Sequence, residues 1–203
     1  MKKIVFGLLL LVSCGGALSS CKEDSKLPAP AFESLPAIFP KATPGKDFFD
    51  ATAAKAAAST NPTRPIFEFT VDLGKERDIK IRTIEVYKSF GRPASSGLTL
   101  GPRVKVGDYS TFPFTVSLTS TEALRDLKRL SGTAPNINLL PVVPANPDAF
   151  NNIVQANDAV VFTFEIITQD DRRIVLTQLN TYGAPTGTQS LAPYAAIAVF
   201  RNS

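Results

Sequence analysis

Hydrophobic and polar positions alternate along residues 66–73, which read Ile-Phe-Glu-Phe-Thr-Val-Asp-Leu, and the alternation is strict from Phe67 onward. Phe67, Phe69, Val71 and Leu73 occupy one set of alternate positions, and polar residues occupy positions between them. Because successive side chains of a β-strand point to opposite faces, this pattern predicts a strand with one buried and one solvated face.

Strand-like patterns recur along the rest of the chain. Alternating or short apolar runs predict further strands at residues 79–88, 102–109, 111–118, 158–168, 173–179 and 195–200. The apolar register of the first of these jumps between Ile81 and Ile84, which predicts a β-bulge. Residues 169–172, Gln-Asp-Asp-Arg, have the composition of a hairpin turn.

A helical pattern interrupts the strands after Thr119. Thr119 and Glu122 have the spacing of a capping box, and four apolar residues follow at helical spacing before Gly132. The pattern predicts a short amphipathic helix. Residues 131–157 are rich in Pro and Asn and are expected to form a long loop.

Seven short strands and one helix predict a mainly β protein built as a single antiparallel β-sandwich. A closed barrel is the alternative, but the long connections between the strands favour two packed sheets.

The N-terminus has the features of an export signal. Lys2 and Lys3 precede nine apolar residues at positions 4–12, a length typical of a signal peptide. The uncharged stretch is diluted by Ser and Gly up to residue 20, so it is marginal for a membrane-spanning helix. Residues 1–20 are therefore predicted to be a signal peptide.

Two cysteines follow the apolar run in sequences that resemble a lipobox, the pattern that precedes a lipid-bearing cysteine. They are Leu-Val-Ser-Cys, ending at Cys14, and Leu-Ser-Ser-Cys, ending at Cys21. We favour Cys21 as the lipid attachment site, because residues 22–24 are Lys-Glu-Asp and the chain becomes charged there. Cys14 is then a small apolar residue of the signal.

The string Ser-Ser-Cys-Lys-Glu-Asp around Cys21 resembles the N-termini of outer-membrane lipoproteins of the Bacteroidetes. This resemblance implies a protein anchored in the outer membrane by its lipid and exposed at the cell surface. Two or more acyl chains anchor a protein stably.

Residues 21–61 are expected to join the anchor to the folded domain. Proline recurs every few residues up to Pro44, which favours extended backbone, and residues 47–59 are Ala-rich enough for a short helix. The sandwich is predicted to occupy residues 62–203.

Composition limits the chemistry that the chain can perform. Without Lys2 and Lys3, 20 basic residues face 18 acidic ones, and such a nearly neutral mixture argues against nucleic acid as a partner. The chain has no histidine and no cysteine beyond residue 21, which excludes Ser-His-Asp and Cys-His catalysis. Glu68 and Asp72 share a strand face, but their separation of about 13 Å exceeds that of glycosidase carboxylates. We therefore expect a non-enzymatic protein without a metal site or cofactor.

Three segments resemble the immunoglobulin-like domains of lipoproteins that accompany SusC/SusD-type nutrient-uptake systems (SusE-like proteins). They are Glu-Val-Tyr-Lys-Ser at 85–89, Phe-Thr-Val-Ser-Leu at 114–118, and residues 157–165 with the following 170–173. The resemblance implies an immunoglobulin-like sandwich acting as a surface accessory or glycan-binding subunit. Carbohydrate-binding members commonly stack sugars on Trp, and this chain contains none.

Candidate ligand-binding residues come from the predicted loops, since recognition on a rigid sandwich usually lies there. They are Phe90 and Arg92 in 89–101, Phe150 in 131–157, and Tyr182 and Tyr194 in 181–194. Each aromatic could instead pack its own loop against the core.

Two functions remain open from the sequence. The first is a non-enzymatic accessory subunit of an outer-membrane transporter or envelope complex. The second is an autonomous module that binds a glycan or another ligand, with Tyr or Phe in place of Trp as the stacking surface.

Overall fold

A computed structural model describes residues 34, 37–55, 63–74, 78–95, 97–132, 136–142 and 153–202 of the chain. The predicted signal peptide, Cys14, Cys21 and Phe150 lie outside the described residues. No helix among the described residues is long and apolar enough to cross a membrane.

The described residues form fourteen strands, two short α-helices and one 3-10 helix. In chain order these are β1 (Lys41–Ala42), β2 (Phe48–Asp50), α1 (Ala51–Lys55), β3 (Ile66–Val71), β4 (Ile81–Ala94), β5 (Gly97–Leu100), β6 (Val104–Tyr109), β7 (Phe114–Thr119), α2 (Ser120–Leu124), β8 (Lys128–Ser131), β9 (Asn138–Pro141), β10 (Ala159–Thr168), β11 (Arg173–Val175), β12 (Gln178–Leu179), β13 (Pro185–Thr186), the 3-10 helix (Thr188–Ser190) and β14 (Ala196–Arg201).

Two sheets make up the sandwich. The smaller has the strand order β1-β3-β7, and the larger is centred on the long antiparallel pair β4 and β10. The second edge of β10 is shared by β14 and β11, and the second edge of β4 is shared by β5 and β6. The pairs are antiparallel apart from β2, which runs parallel to β14. The mainly β sandwich predicted from the sequence is confirmed.

Aromatic side chains from both sheets meet in the core. Phe67 and Phe69 of β3 are at most 1% exposed, as the alternating pattern predicts. The ring of Phe67 stacks on that of Phe162 with centroids 5.6 Å apart, and Phe69 lies 5.1 Å from the same ring. Burying large side chains of this kind stabilises the fold by about 1.5–3 kcal/mol each.

The predicted irregularity at the start of β4 is also present. Ile167 of β10 is paired with Thr83, and the next residue, Thr168, is paired with Ile81. Arg82 is therefore an extra residue on β4, and it forms the bulge that lets Ile81 and Ile84 both face apolar surroundings.

The predicted helix after Thr119 begins as expected but ends early. The capping box between Thr119 and Glu122 is present, yet α2 ends at Leu124, and Asp126 has a positive φ of 63°. The chain then continues as β8, which pairs with β9 inside the segment predicted to be a loop. The backbone of β8 packs so tightly on the large sheet that a Cβ at Gly101 would lie 1.8 Å from the Lys128 carbonyl oxygen.

The N-terminal segment is part of the domain, contrary to the predicted boundary after residue 61. Lys41 of β1 pairs with Thr70, and β2 pairs with β14. Phe49 is fully buried, with its ring 5.0 Å from that of Phe200. The compact unit begins at Ser34. The proline-rich composition of this segment suggests a linker. The segment nevertheless forms two short strands that pair with the domain, because such strands need only a few apolar residues between prolines.

Candidate functional site

The outer face of the large sheet, which points away from the sandwich core, carries two glutamates side by side. Glu85 on β4 and Glu165 on β10 are paired directly across the two strands. The alternation of β4 places Ile84 and Val86 in the core, so Glu85 between them points outward. Glu165 is nevertheless only 1% exposed, because charged and aromatic side chains cover it.

Arg173, from the short edge strand β11, links the two carboxylates. Its guanidinium donates to Glu165 Oε2 and to both oxygens of Glu85. Lys105 Nζ donates to Glu85 Oε1 at 2.9 Å, and the Tyr87 hydroxyl donates to Glu85 Oε2 at 2.8 Å. This set of residues, together with Arg103, is termed the glutamate network below.

Arg103 connects the network to the neighbouring surface. It forms an ion pair with Glu165 Oε1 without an aligned hydrogen bond to that oxygen. The Arg103 guanidinium lies over the Tyr87 ring, 4.1 Å from its centroid. The stacking fixes the guanidinium in place, so that one cation serves both a buried carboxylate and an aromatic face.

The cations keep Glu85 ionised. Hydrogen bonds from Arg173 lower its pKa to about 2, despite an opposing effect of burial. A general acid must hold a proton near the working pH, and Glu85 does not. Glu85 is therefore unsuited to act as a general acid, and the two glutamates, which lie at the spacing of neighbouring strands, are joined in an ion network.

A groove of about 320 Å³ lies beside Arg103. Its lining combines apolar and charged side chains: Pro102, Val104, Leu139 and Tyr182 with Arg103, Asp126 and Lys128. This Tyr182 groove combines an aromatic face with both donors and acceptors, the composition of sites that bind amphipathic small ligands.

Tyr182 is held in the groove by a turn that Asn180 organises. The Asn180 side-chain oxygen accepts from the backbone amides of Tyr182 at 2.9 Å and Ala184 at 3.0 Å. The Arg103 amide donates to the Gly183 carbonyl at 3.0 Å, which joins the turn to the segment that carries Arg103. An Asx turn of this kind restricts the backbone and leaves the ring at the surface.

The prediction that Phe90 and Arg92 lie in a binding loop is wrong. Residues 89–101 instead belong mainly to the hairpin of β4 and β5, and Phe90 is fully buried in the core. Arg92 forms a two-pronged pair with buried Asp158, at 2.9 and 2.7 Å, and donates to the Ile153 carbonyl. Its role is to hold the turn that precedes β10.

Tyr194 lies away from the Tyr182 groove. Its ring packs against Phe39 with centroids 5.5 Å apart, so it helps to hold the N-terminal segment on the domain. Phe150, the remaining candidate, lies outside the described residues. Of the four predicted ligand contacts that the structure describes, Tyr182 is the one that lines this groove.

A second depression, of about 380 Å³, lies on the other side of the glutamate network near the β10–β11 turn. Four of its five charged residues form pairs with each other, Arg82 with Asp171 and Arg173 with Glu85, and the fifth, Asp108, pairs with Lys105. The network does not follow from the alternating pattern alone, although a glutamate within the apolar run 159–167 is a signal of it. No group of three potential metal ligands occurs in the described part of the chain.

Comparison with protein families and curated proteins identified no relative of this chain. No protein-family model matches the chain, and no curated protein matches its sequence significantly.

Proposed function

We propose that this protein is a lipid-anchored, non-enzymatic accessory protein of the outer membrane surface, which works as a subunit of a nutrient-uptake or envelope complex. The observation that carries the proposal is the sequence at Cys21: a lipobox directly followed by three charged residues. The compact unit supports it, because that unit begins only thirteen residues later, at Ser34.

The short distance in sequence limits how far the domain can lie from its anchor. Thirteen residues reach at most about 45 Å, whatever their conformation. A domain confined to that distance meets membrane neighbours at a high effective concentration and needs no strong interface to stay with them. A transporter complex of the SusC/SusD type is the partner we propose.

The geometry of the glutamate network supports a non-enzymatic role. The paired carboxylates of the large sheet are held by Arg173, Arg103 and Lys105. Such a network stiffens a surface and presents a fixed arrangement of charges to a partner, which favours specific recognition.

Co-purification from native outer membranes tests this function. A tagged full-length chain, extracted in mild detergent, is expected to bring down an integral outer-membrane transporter. The Cys21→Ala chain, made in the same cells, should lose the transporter because it is not held at the membrane. Recovery of the wild-type lipoprotein alone would overturn the proposal.

Ligand binding in the Tyr182 groove is the second candidate function. The adjacency of the half-buried Tyr182 ring to Arg103, Asp126 and Lys128 favours a polar, ring-containing ligand such as a glycan. Binding of residues 22–203 to a glycan array should be lost in Tyr182→Ala and retained in Tyr194→Phe. An array without signal for the wild-type chain would remove this candidate.

A further inference from the structure

Strand β7 forms one end of the smaller sheet and leaves an unpaired edge. Within the described residues it pairs with β3 alone, and its outward-facing backbone groups have no backbone partner. Thr115 and Ser117 are exposed, whereas Phe114 and Val116 are buried. Among the residues that the structure describes, the strand is thus a half-buried ribbon whose outer row of amides and carbonyls has no partner strand.

Three devices by which proteins protect such edges, namely charges, prolines and bulges, are missing from β7 itself. The strand contains no charged residue and no proline, and its register with β3 is continuous without a bulge. Other edges differ: β6 carries Lys105 and Asp108, β11 begins with Arg173, and β1 has only two residues. β5 is uncharged but packs against β8.

We propose that β7 pairs antiparallel with β7 of a second copy of this chain, which joins two three-stranded sheets into one six-stranded sheet. In a two-fold pairing a strand lies against its own sequence, so any charge near the axis would oppose its equivalent. β7 contains no charged residue, so a second copy of the strand can lie against it without like-charge repulsion.

The side chains of β7 are suited to this contact. The Thr115 hydroxyl already lies 2.9 Å from that of Thr70 on β3, so the exposed face carries a hydroxyl pair between strands. Pairing with a second β7 would extend this row, since Thr and Ser pairs across strands are favourable. One strand pair buries less area than a stable interface needs, so the dimer is a weak one.

Cross-linking tests the pairing without depending on the lipid anchor. Residues 22–203 contain no cysteine and keep every residue of the core clusters. Thr115→Cys and Ser117→Cys chains are oxidised separately and as an equal mixture. Registers centred on Thr115, Val116 or Ser117 then each bring two thiols within disulfide distance, because opposed Cα atoms lie about 4.5–5.5 Å apart.

The expected result is a covalent dimer in at least one of the three samples, at several-fold the yield of a Val175→Cys control on the exposed edge strand β11. A dimer yield at the control level in all three samples would overturn the proposal. Independently, Ser117→Lys should abolish dimer sedimentation of the cysteine-free chain, whereas Val175→Lys should not. Equal melting temperatures of the two Lys variants would show that both are folded, and dimer retained in a folded Ser117→Lys chain would also overturn it.

Discussion

Glu85 and Glu165 oppose each other across two neighbouring strands, and a single arginine, Arg173, donates to both of them. Like charges directly across two strands are destabilising by themselves. The pair is tolerated because Arg173, Arg103 and Lys105 supply the opposite charge. The outer face of the large sheet is therefore a charged layer whose order depends on its cations.

Removal of Arg103 should destabilise the domain strongly. Glu165 is 1% exposed and Arg103 is 18% exposed, so the loss of this cation leaves a buried carboxylate short of a partner. We expect Arg103→Ala to lower the free energy of unfolding by about 2–4 kcal/mol, measured by urea denaturation. Arg82→Ala, which breaks the exposed pair with Asp171, should cost less than about 1 kcal/mol.

A double-mutant cycle separates the charge from the packing of Arg103. In a Glu165→Gln background the same Arg103→Ala change should cost at least about 1 kcal/mol less, because no buried charge is left behind. Additive effects of the two substitutions would contradict the assignment of Arg103 to Glu165.

Acid should weaken the fold through Glu85. Its pKa is lowered from 4.5 to about 2 by the hydrogen bonds from Arg173 and its neighbours. The unfolded chain binds a proton at higher pH than the folded chain does, so this stabilisation is complete above about pH 4.5 and is lost as the pH falls towards 2. Denaturant titrations between about pH 2 and 5 should show that the free energy of unfolding of Glu85→Gln falls less steeply with falling pH than that of the wild-type protein. The same pH dependence in both proteins would contradict the claim that the network stabilises ionised Glu85.

The regular strands could be predicted from the sequence, because one buried face imposes a period of two on the side chains. β3 and the bulge at the start of β4 follow from that rule alone. The end of α2 could not be predicted in this way. Leu127 and Leu130 continue the helical spacing, but the close approach of Lys128 to Gly101 is a tertiary contact that draws the chain into β8.

The environment of Lys88 is a second feature that the sequence pattern does not predict. It lies on the core-facing side of β4, and its ammonium donates to the Glu122 carbonyl at 2.6 Å. Burial lowers its pKa from 10.5 to about 8. Between these two values the unfolded chain holds a proton that the folded chain has released, so stability rises with pH across this window.

Lys88→Met should accordingly stabilise the protein at pH 7. The substitution replaces a buried charge by an apolar side chain of similar length, and we expect a gain of about 1 kcal/mol in the free energy of unfolding. The gain should shrink as the pH is raised from 8 to 10.5, since wild-type Lys88 then becomes neutral in both states. A loss of stability at both ends of this range would mean that the bond to Glu122 outweighs burial.

The N-terminal segment should prove essential to the domain. Phe49 is fully buried between Phe67 and Phe200, so Phe49→Ala should lower the free energy of unfolding by about 3–5 kcal/mol. Phe48→Ala is the matched control: its ring is half-buried beside Arg201, and its loss should cost much less. If Phe49→Ala and Phe48→Ala both lowered the melting temperature by the same small amount, this segment would be a tether and not a part of the folded domain.

The candidate site could be predicted only in part. Tyr182 follows from the rule that exposed aromatics in loops can bind ligands, and the structure places it beside a groove. Arg103, Asp126 and Lys128 are distant from it in sequence, and the fold alone brings them to the same groove. Phe90 was misassigned because its Gly- and Pro-containing surroundings resemble a loop, although the backbone there forms a hairpin of two paired strands.

Metabolic labelling with an alkyne analogue of palmitate, followed by purification of the protein, tests the central claim of lipid anchoring most directly. Wild-type protein and a Cys14→Ala variant should both incorporate the label, and a Cys21→Ala variant should not. Incorporation that persists in Cys21→Ala and disappears in Cys14→Ala would move the anchor to Cys14, and no incorporation in the wild-type protein would contradict the account of a lipid-anchored accessory protein.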